Sequence, residues 1–294
     1  MKDKIYRYDD AFKAKARAHQ FAFRDNVLND HYEEKNPQVI LSPEASQRGL
    51  IFCDIYRDLI LKKVKKFETS ALFSNMLRSE HIPFNIFVPM EEDLCNTKLL
   101  FNKIIGGGIS DICRICIEFA GYTDRSKYLN DGTSFDVYVE YMDDDNQRGA
   151  IGIEVKYTEN SYSIKEKEKE DIKDINGLYR KMTIKSGYFI ADLDIEMFIK
   201  AHHLRQIWRN HLLGYSMVDR GDIQHFHHIH LYPQGNTHFH QYAIPEYKAL
   251  LSQKGKDSFI DLTYESLFET MSLYFTSTKQ KEWIKYLYQR YLNM

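Results

Sequence analysis

Cysteine is scarce in this chain, four in 294 residues. A disulfide scaffold needs a much denser framework, so none is expected, and a reducing cytoplasm is the default compartment. No apolar run is long enough to cross a bilayer, and the first ten residues lack the apolar segment of a secretory leader. No membrane partner is therefore expected. An excess of either charge is missing too: 40 Lys and Arg against 42 Asp and Glu leave a formal charge of −2. That excludes a uniformly basic nucleic-acid coat, and any contact with nucleic acid needs a local basic patch. There is no Gly-x-x-x-x-Gly-Lys-Ser/Thr loop and no nucleophile elbow, so ATP-driven and Ser-His-Asp chemistry have no support. Gly106-Gly-Gly108 alone is a helix stop or a flexible turn. No internal repeat or low-complexity linker divides the chain.

What the chain does have is apolar mass, 43% hydrophobic with 21 Tyr and 18 Phe, enough for a substantial core. Its most ordered pattern runs from Ser134 to Glu159. Phe135-Asp-Val-Tyr-Val-Glu-Tyr141 and Ile151-Gly-Ile-Glu-Val-Lys-Tyr157 each alternate apolar and polar residues, the period of a half-buried strand. Asp143 to Gly149 between them is turn chemistry, so the stretch reads as a β-hairpin. Side chains two apart share a face. Gly152, Glu154 and Lys156 therefore point one way, and Asp136 on the first arm can join them. Two carboxylates suit a hard cation such as Mg²⁺, and a lysine beside them can position a water or balance charge on a phosphate. The bland alternative is a surface hairpin with solvated charges.

Along the chain, residues 9–29 read as a helix capped by Asp9 or Asp10, with Lys13, Lys15, Arg17 and Arg24 on a solvated face. Pro43, capped by Ser42, opens a second helix carrying Leu50, Ile55, Leu59 and Val64, with a break at Gly49. Lys62, Lys63, Lys65 and Lys66 close it, where positive charge suits the helix dipole. Thr69 or Ser70 caps a third helix, Phe84–Met90 reads as extended, and residues 91–105 form a fourth helix. Residues 111–118, 134–141 and 150–157 give three strands. The charge run 165–174 is a solvated helix or loop. Helix follows at 175–185 and within 195–217, then a final strand over 223–232. Residues 246–294 read as helical throughout.

An aspartate, seventeen residues, then Glu-x-Lys resembles the signature of the PD-(D/E)xK phosphodiesterase superfamily, with Phe135 where proline is usual. From residue 69 the elements run helix, three strands, helix, strand, which resembles that superfamily's αβββαβ core. The phrases Leu77-Arg-Ser-Glu-His-Ile-Pro83 and Gln206-Ile-Trp-Arg-Asn-His-Leu-Leu213, with the opening Ala16-Arg-Ala-His-Gln-Phe-Ala-Phe-Arg24, also resemble a little-characterised bacterial branch of nuclease-like proteins. The resemblance implies one α/β (α+β) restriction-endonuclease-like domain over 1–294. Its core spans 69–235, with a mixed sheet flanked by helices and helical additions at 1–68 and 236–294. It implies a metal-dependent endonuclease acting on nucleic acid, DNA first, with a homodimer left open. Asp136, Glu154 and the Val155 carbonyl would bind Mg²⁺ or Mn²⁺, and Lys156 would position or help deprotonate water. Glu80 would complete the metal shell, ahead of Glu44 and Glu118, and Gln206 would orient Lys156 or substrate. The rival is a non-catalytic nucleic-acid- or protein-binding module that keeps the fold.

Cys113-Arg-Ile-Cys116 and the histidines at 225, 227, 228, 230, 238 and 240 invite a zinc reading. On a strand the two thiols would face opposite sides, so two buried strand cysteines and a sheet-edge histidine strand explain them better. Contact of His228 and His230 with a substrate phosphate is the remaining alternative.

Overall fold

The computed structural model describes residues 9–32, 39–64, 70–160 and 162–294. The expected cap at Thr69 and the lysines Lys65 and Lys66 lie outside them.

Among the described residues, six α-helices come first: α1 (Ala11–Asn26), α2 (Pro43–Gln47), α3 (Arg57–Val64), α4 (Ser70–Ser74), α5 (Ile82–Phe87) and α6 (Leu94–Ile105). Local chemistry sets their ends. The Asp10 carboxylate accepts the Lys13 N–H at 2.8 Å, and Ser42 accepts that of Ala45 at 3.1 Å. Gly106, at φ 91°, closes α6 in the left-handed region. Arg17 and Arg24 depart from the expected solvated face: both are buried and paired with Asp9 (2.6 Å) and Asp25 (2.9 Å).

Phe84–Met90 was expected to be extended and is helical instead, as α5 and a 3₁₀ turn over Pro89–Glu92. Every residue from 81 to 90 is buried, so the run carries no period to separate strand from helix. Pro83 and Pro89 sit where a helix start tolerates them.

Strands β1 (Ile109–Phe119), β2 (Phe135–Asp143) and β3 (Arg148–Val155) form an antiparallel meander. Helices α7 (Glu166–Lys173), α8 (Leu178–Ser186), α9 (Met197–Lys200) and α10 (His202–Asp219) follow. Then β4 (His225–Tyr232) joins β3 in parallel. Helices α11 (Ile244–Ala249) and α12 (Gln253–Ser258) lead to β5 (Phe259–Thr263), which pairs in parallel with β4. Helices α13 (Tyr264–Tyr274) and α14 (Thr278–Tyr291) end the chain. The sheet order is β1-β2-β3-β4-β5, a mixed sheet flanked by helices.

The fifth strand corrects the expectation of an all-helical segment after residue 246. It also moves β4 inward, so the histidines do not line a sheet edge. His228 and His230 are fully buried and out of reach of a substrate phosphate. Cys113 also differs from expectation. Ile112 pairs with Tyr141 and Arg114 with Glu140, so Cys113 is the extra residue of a β-bulge and is exposed, while Cys116 is half-buried. All four cysteines are free.

Strand alternation splits the core in two. Val137, Val139, Ile151, Ile153, Ile229 and Leu231 pack against the N-terminal helices together with α13 and α14. Tyr138, Ala150 and Phe226 pack against α8, α10 and α11. Trp208 of α10 is sandwiched between Phe198 (4.2 Å between centroids) and Tyr179 (5.0 Å). This second layer brings α10 down onto the polar face of the hairpin. Close approach there depends on Gly214, where a Cβ would come within 1.9 Å of the Phe226 ring. Among the described residues, no helix is long and apolar enough to cross a membrane.

Candidate active site

The β2–β3 ladder ends at Val137 and Ile153, and the next residues of both strands open into a cleft of about 440 Å³. Glu80, Asp136, Glu154, Lys156 and Gln206 all line it. At the end of the ladder the Asp136 side chain replaces a backbone acceptor: Oδ2 takes the Val155 N–H at 2.7 Å. A strand residue's N–H and C=O point to the same side, so the Val155 carbonyl faces the Asp136 side as well. The room left by Gly152 is filled by the Phe135 ring, which a Cβ would meet at 2.4 Å.

Glu154 is only 1% exposed, and both its oxygens are held. Lys156 Nζ lies 2.6 Å from Oε1, and the Gln206 amide donates to the same oxygen. The Asn210 amide donates to Oε2. Gln206 Oε1 accepts from Lys156 Nζ at 2.7 Å, closing the network. Gln206 and Asn210 are four apart on α10 and so project from one face. In sequence they form a polar stripe with His203, whose ring instead pairs with Glu246 at 2.8 Å. The stripe was the signal for Asn210, but only the packing of α10 on β3 singles it out.

Glu80 sits on a 3₁₀ turn, Ser79–His81. Its Oε1 pairs with Arg78 at 2.7 Å, and its Oε2 is buried without a partner. Glu159, which the sequence pattern does not single out, staples this turn to the end of β3. Its Oε1 accepts the Ser79 N–H at 2.8 Å, and its Oε2 accepts the N–H groups of Tyr157 (3.3 Å) and Thr158 (3.2 Å). Thr158 adds a bond to the Leu77 carbonyl at 2.8 Å. Of the weaker candidates, Glu118 lines the cleft and Glu44 lies exposed in the first turn of α2, away from it. Glu118 adopts φ 55°, a strained conformation for a glutamate, and its carboxylate accepts from Ser134 at 2.9 Å.

On the opposite wall, Arg209 pairs with Asp131 (2.9 Å) and Glu168 (2.9 Å) and donates to the Tyr162 hydroxyl at 2.6 Å. Glu168 belongs to the charge run, so α7 is not wholly solvated: Glu168 ties it to α10, and Ile172 buries its apolar side.

The cleft crowds Glu80, Glu118, Asp136, Glu154 and Glu159 against Arg78, Lys156 and Arg209. Burial, then the Glu154 charge, pushes the Asp136 carboxyl well above its usual range. Burial pulls Lys156 down, but Glu154 and then Asp136 outweigh it and hold the ammonium above its ordinary value. Among the described residues, no group of three or more His, Cys, Asp or Glu side chains is gathered tightly enough to hold a metal ion. The acids are spread along the cleft, with Lys156 beside Glu154. The donor set nevertheless fits a hard divalent cation, being all oxygen, over-rich in carboxylates and including the unpartnered Glu80 Oε2.

No curated protein and no solved structure matches the chain. A family model, that of the PD-(D/E)XK nuclease superfamily, matches residues 7–293. The match covers nearly the whole sequence, and its fold agrees with the mixed sheet and flanking helices: the chain belongs to the PD-(D/E)XK nuclease superfamily.

Proposed function

We propose that the protein is a metal-dependent endonuclease that hydrolyses phosphodiester bonds of nucleic acid, with DNA as the substrate. The observation that carries this reading is the shared cleft of Asp136, Glu154 and Lys156 at the open end of the hairpin. Asp136, Glu154 and the Val155 carbonyl would hold Mg²⁺ or Mn²⁺, with Glu80 joining directly or through water. Once bound, the ion supplies Lewis-acid polarisation of the phosphate and balances charge on the leaving oxygen. Lys156, kept protonated by its acid neighbours, acts as a donor that orients the attacking water and meets negative charge on the phosphate. Gln206 holds Lys156 and Glu154 in mutual register, and Asn210 fixes the rotation of the Glu154 carboxylate.

One observation favours the rival, a non-catalytic binding module. Both Glu154 oxygens are already engaged, and Lys156 occupies the space beside Oε1. A plasmid-cleavage assay with and without Mg²⁺ separates the two. Wild-type protein is expected to nick DNA only with the ion, and Glu154→Ala to be inert. Equal cleavage by both proteins rules out this site, and DNA binding without cleavage under every divalent ion leaves the binding module.

A further inference from the structure

Arg290, in the last turn of α14, is a cation sealed inside the molecule. Its side chain is 0% exposed, and none of its three guanidinium nitrogens makes a well-aligned hydrogen bond, although the Tyr291 hydroxyl lies close enough to interact with it. Among the described residues, no carboxylate pairs with it. Arginine cannot escape the cost of burial by losing its proton. The guanidinium lies 4.6 Å from the Phe23 ring centroid and 6.0 Å from that of Tyr291. Ring contacts recover part of the cost of burying a charge, but they do not neutralise it.

Other unpaired polar groups crowd the same place. His81 is 0% exposed with both ring nitrogens unpartnered, and its ring is 6.0 Å from that of Tyr291. The Tyr286 hydroxyl is buried and unpartnered, its ring 5.9 Å from Phe23. Gln20 donates to the Arg290 carbonyl at 2.7 Å and to the Tyr157 hydroxyl at 2.9 Å, leaving its Oε1 as the one unpaired acceptor of the amide. The Tyr291 hydroxyl takes the Asn85 amide at 2.8 Å and also faces the Arg290 guanidinium. Burial, then the charge of Arg290, holds the His81 pKa well below its ordinary value, so His81 is neutral at pH 7.

Guanidinium, imidazole and hydroxyl would bond to one another if they stood within reach. None of them bonds to another, so a small bridging group would satisfy them together. The guanidinium alone brings five N–H donors, more than the Gln20 oxygen, one imidazole nitrogen and the Tyr286 oxygen can take up, and the cluster carries a single positive charge. Water would serve the donors and leave the charge.

We propose that Arg290, His81 and Tyr286 form an internal site for a small monovalent anion such as chloride, between α1, the Ser79–His81 turn and α14. The site is independent of the nuclease reading, although it abuts the turn that presents Glu80. The test is thermal unfolding of the full chain at fixed ionic strength as gluconate is replaced by chloride or bromide. Tm is expected to rise and then saturate with halide, as it does for a ligand that binds only the folded state. Arg290→Met, which keeps the apolar stem, is expected to lose that dependence. Equal Tm in chloride and gluconate, or a halide effect retained in Arg290→Met, overturns the proposal. Should Arg290→Met fail to fold, bromide-soaked wild-type crystals decide: an anomalous peak between Arg290 and His81 supports the site, and its absence refutes it.

Discussion

Lys156 and Glu154 sit 2.6 Å apart in a cleft crowded with acids, so removing one side chain changes what its neighbours experience. Asp136→Ala or Glu154→Ala is expected to weaken Mg²⁺ binding and abolish cleavage together. Lys156→Ala removes a positive charge from the place a cation would enter. It should lose about 10²–10³-fold in rate while keeping or gaining Mg²⁺ affinity. Calorimetric titration beside a cleavage assay checks the split, and full cleavage by Lys156→Ala sinks the assigned role. Asn210→Leu strips one hydrogen bond from a buried carboxylate. It should cost about 1–3 kcal/mol of stability and weaken Mg²⁺ binding. Asn210→Asp sets a second acid against Glu154, so the pair must share a proton, and Mg²⁺ affinity should become steeply pH-dependent. Unchanged titrations for both variants would reduce Asn210 to a packing residue. At this scale the strand acids were legible because a period of two fixes their face from local sequence alone. Asn210 and Glu159 were not, because their roles depend on where α10 and the Ser79 turn dock.

Among the elements, α10 decides whether the cleft exists, since it supplies Gln206 and Asn210 from one side while β3 supplies Glu154, with Lys156 just past its end, from the other. Gly214 lies two turns beyond Gln206 and lets the helix touch Phe226. In an exposed helix, replacing Gly by Ala stabilises by about 1 kcal/mol. Here a methyl would overlap the ring at 1.9 Å, and overpacking of this kind typically costs about 1–3 kcal/mol. The two effects have opposite signs, so urea unfolding of Gly214→Ala tells which prevails, and we expect net destabilisation with reduced cleavage. Ile184→Ala on α8, at a side chain 70% exposed, is the control and should stay within about 0.5 kcal/mol of wild type. The meander, α10 and β4 were readable from periodicity because each has one wet or polar side. The stretch 82–90, buried all round, has none. Strand β5 is five residues long, set between helices, and its place is fixed only by pairing with β4.

Across the whole molecule, acid stability should be governed by buried histidines rather than by the cleft. Burial pushes the pKa of His228 down to about 3 and holds those of His81, His211 and His230 well below 6.5. In the unfolded chain all four titrate near 6.5. Below that pH the unfolded state therefore binds more protons than the folded one, and stability must fall as pH falls. Each such histidine contributes about 1.4 kcal/mol per pH unit once pH is well below 6.5, against a total stability of roughly 5–15 kcal/mol. Asp136 acts in the opposite sense. Its raised folded pKa favours the native state as pH drops from that value towards 3.8, and the raised Glu118 adds to this, but they are two groups against four. Urea unfolding should thus give a flat free energy above pH 7 and a steep loss between pH 6.5 and 5. His228 permits a sharper test. Both its ring nitrogens are unpartnered, and its ring stacks on Phe259 at 5.6 Å and on His211 at 5.8 Å between centroids, so no neighbour bonds to the imidazole. His228→Phe should remove one proton from the acid slope and raise stability at neutral pH, because a buried polar group without a partner is exchanged for a ring of similar shape. An acid slope unchanged in this variant would show that His228 takes up its proton in the folded state, and that its burial does not set the molecule's acid limit.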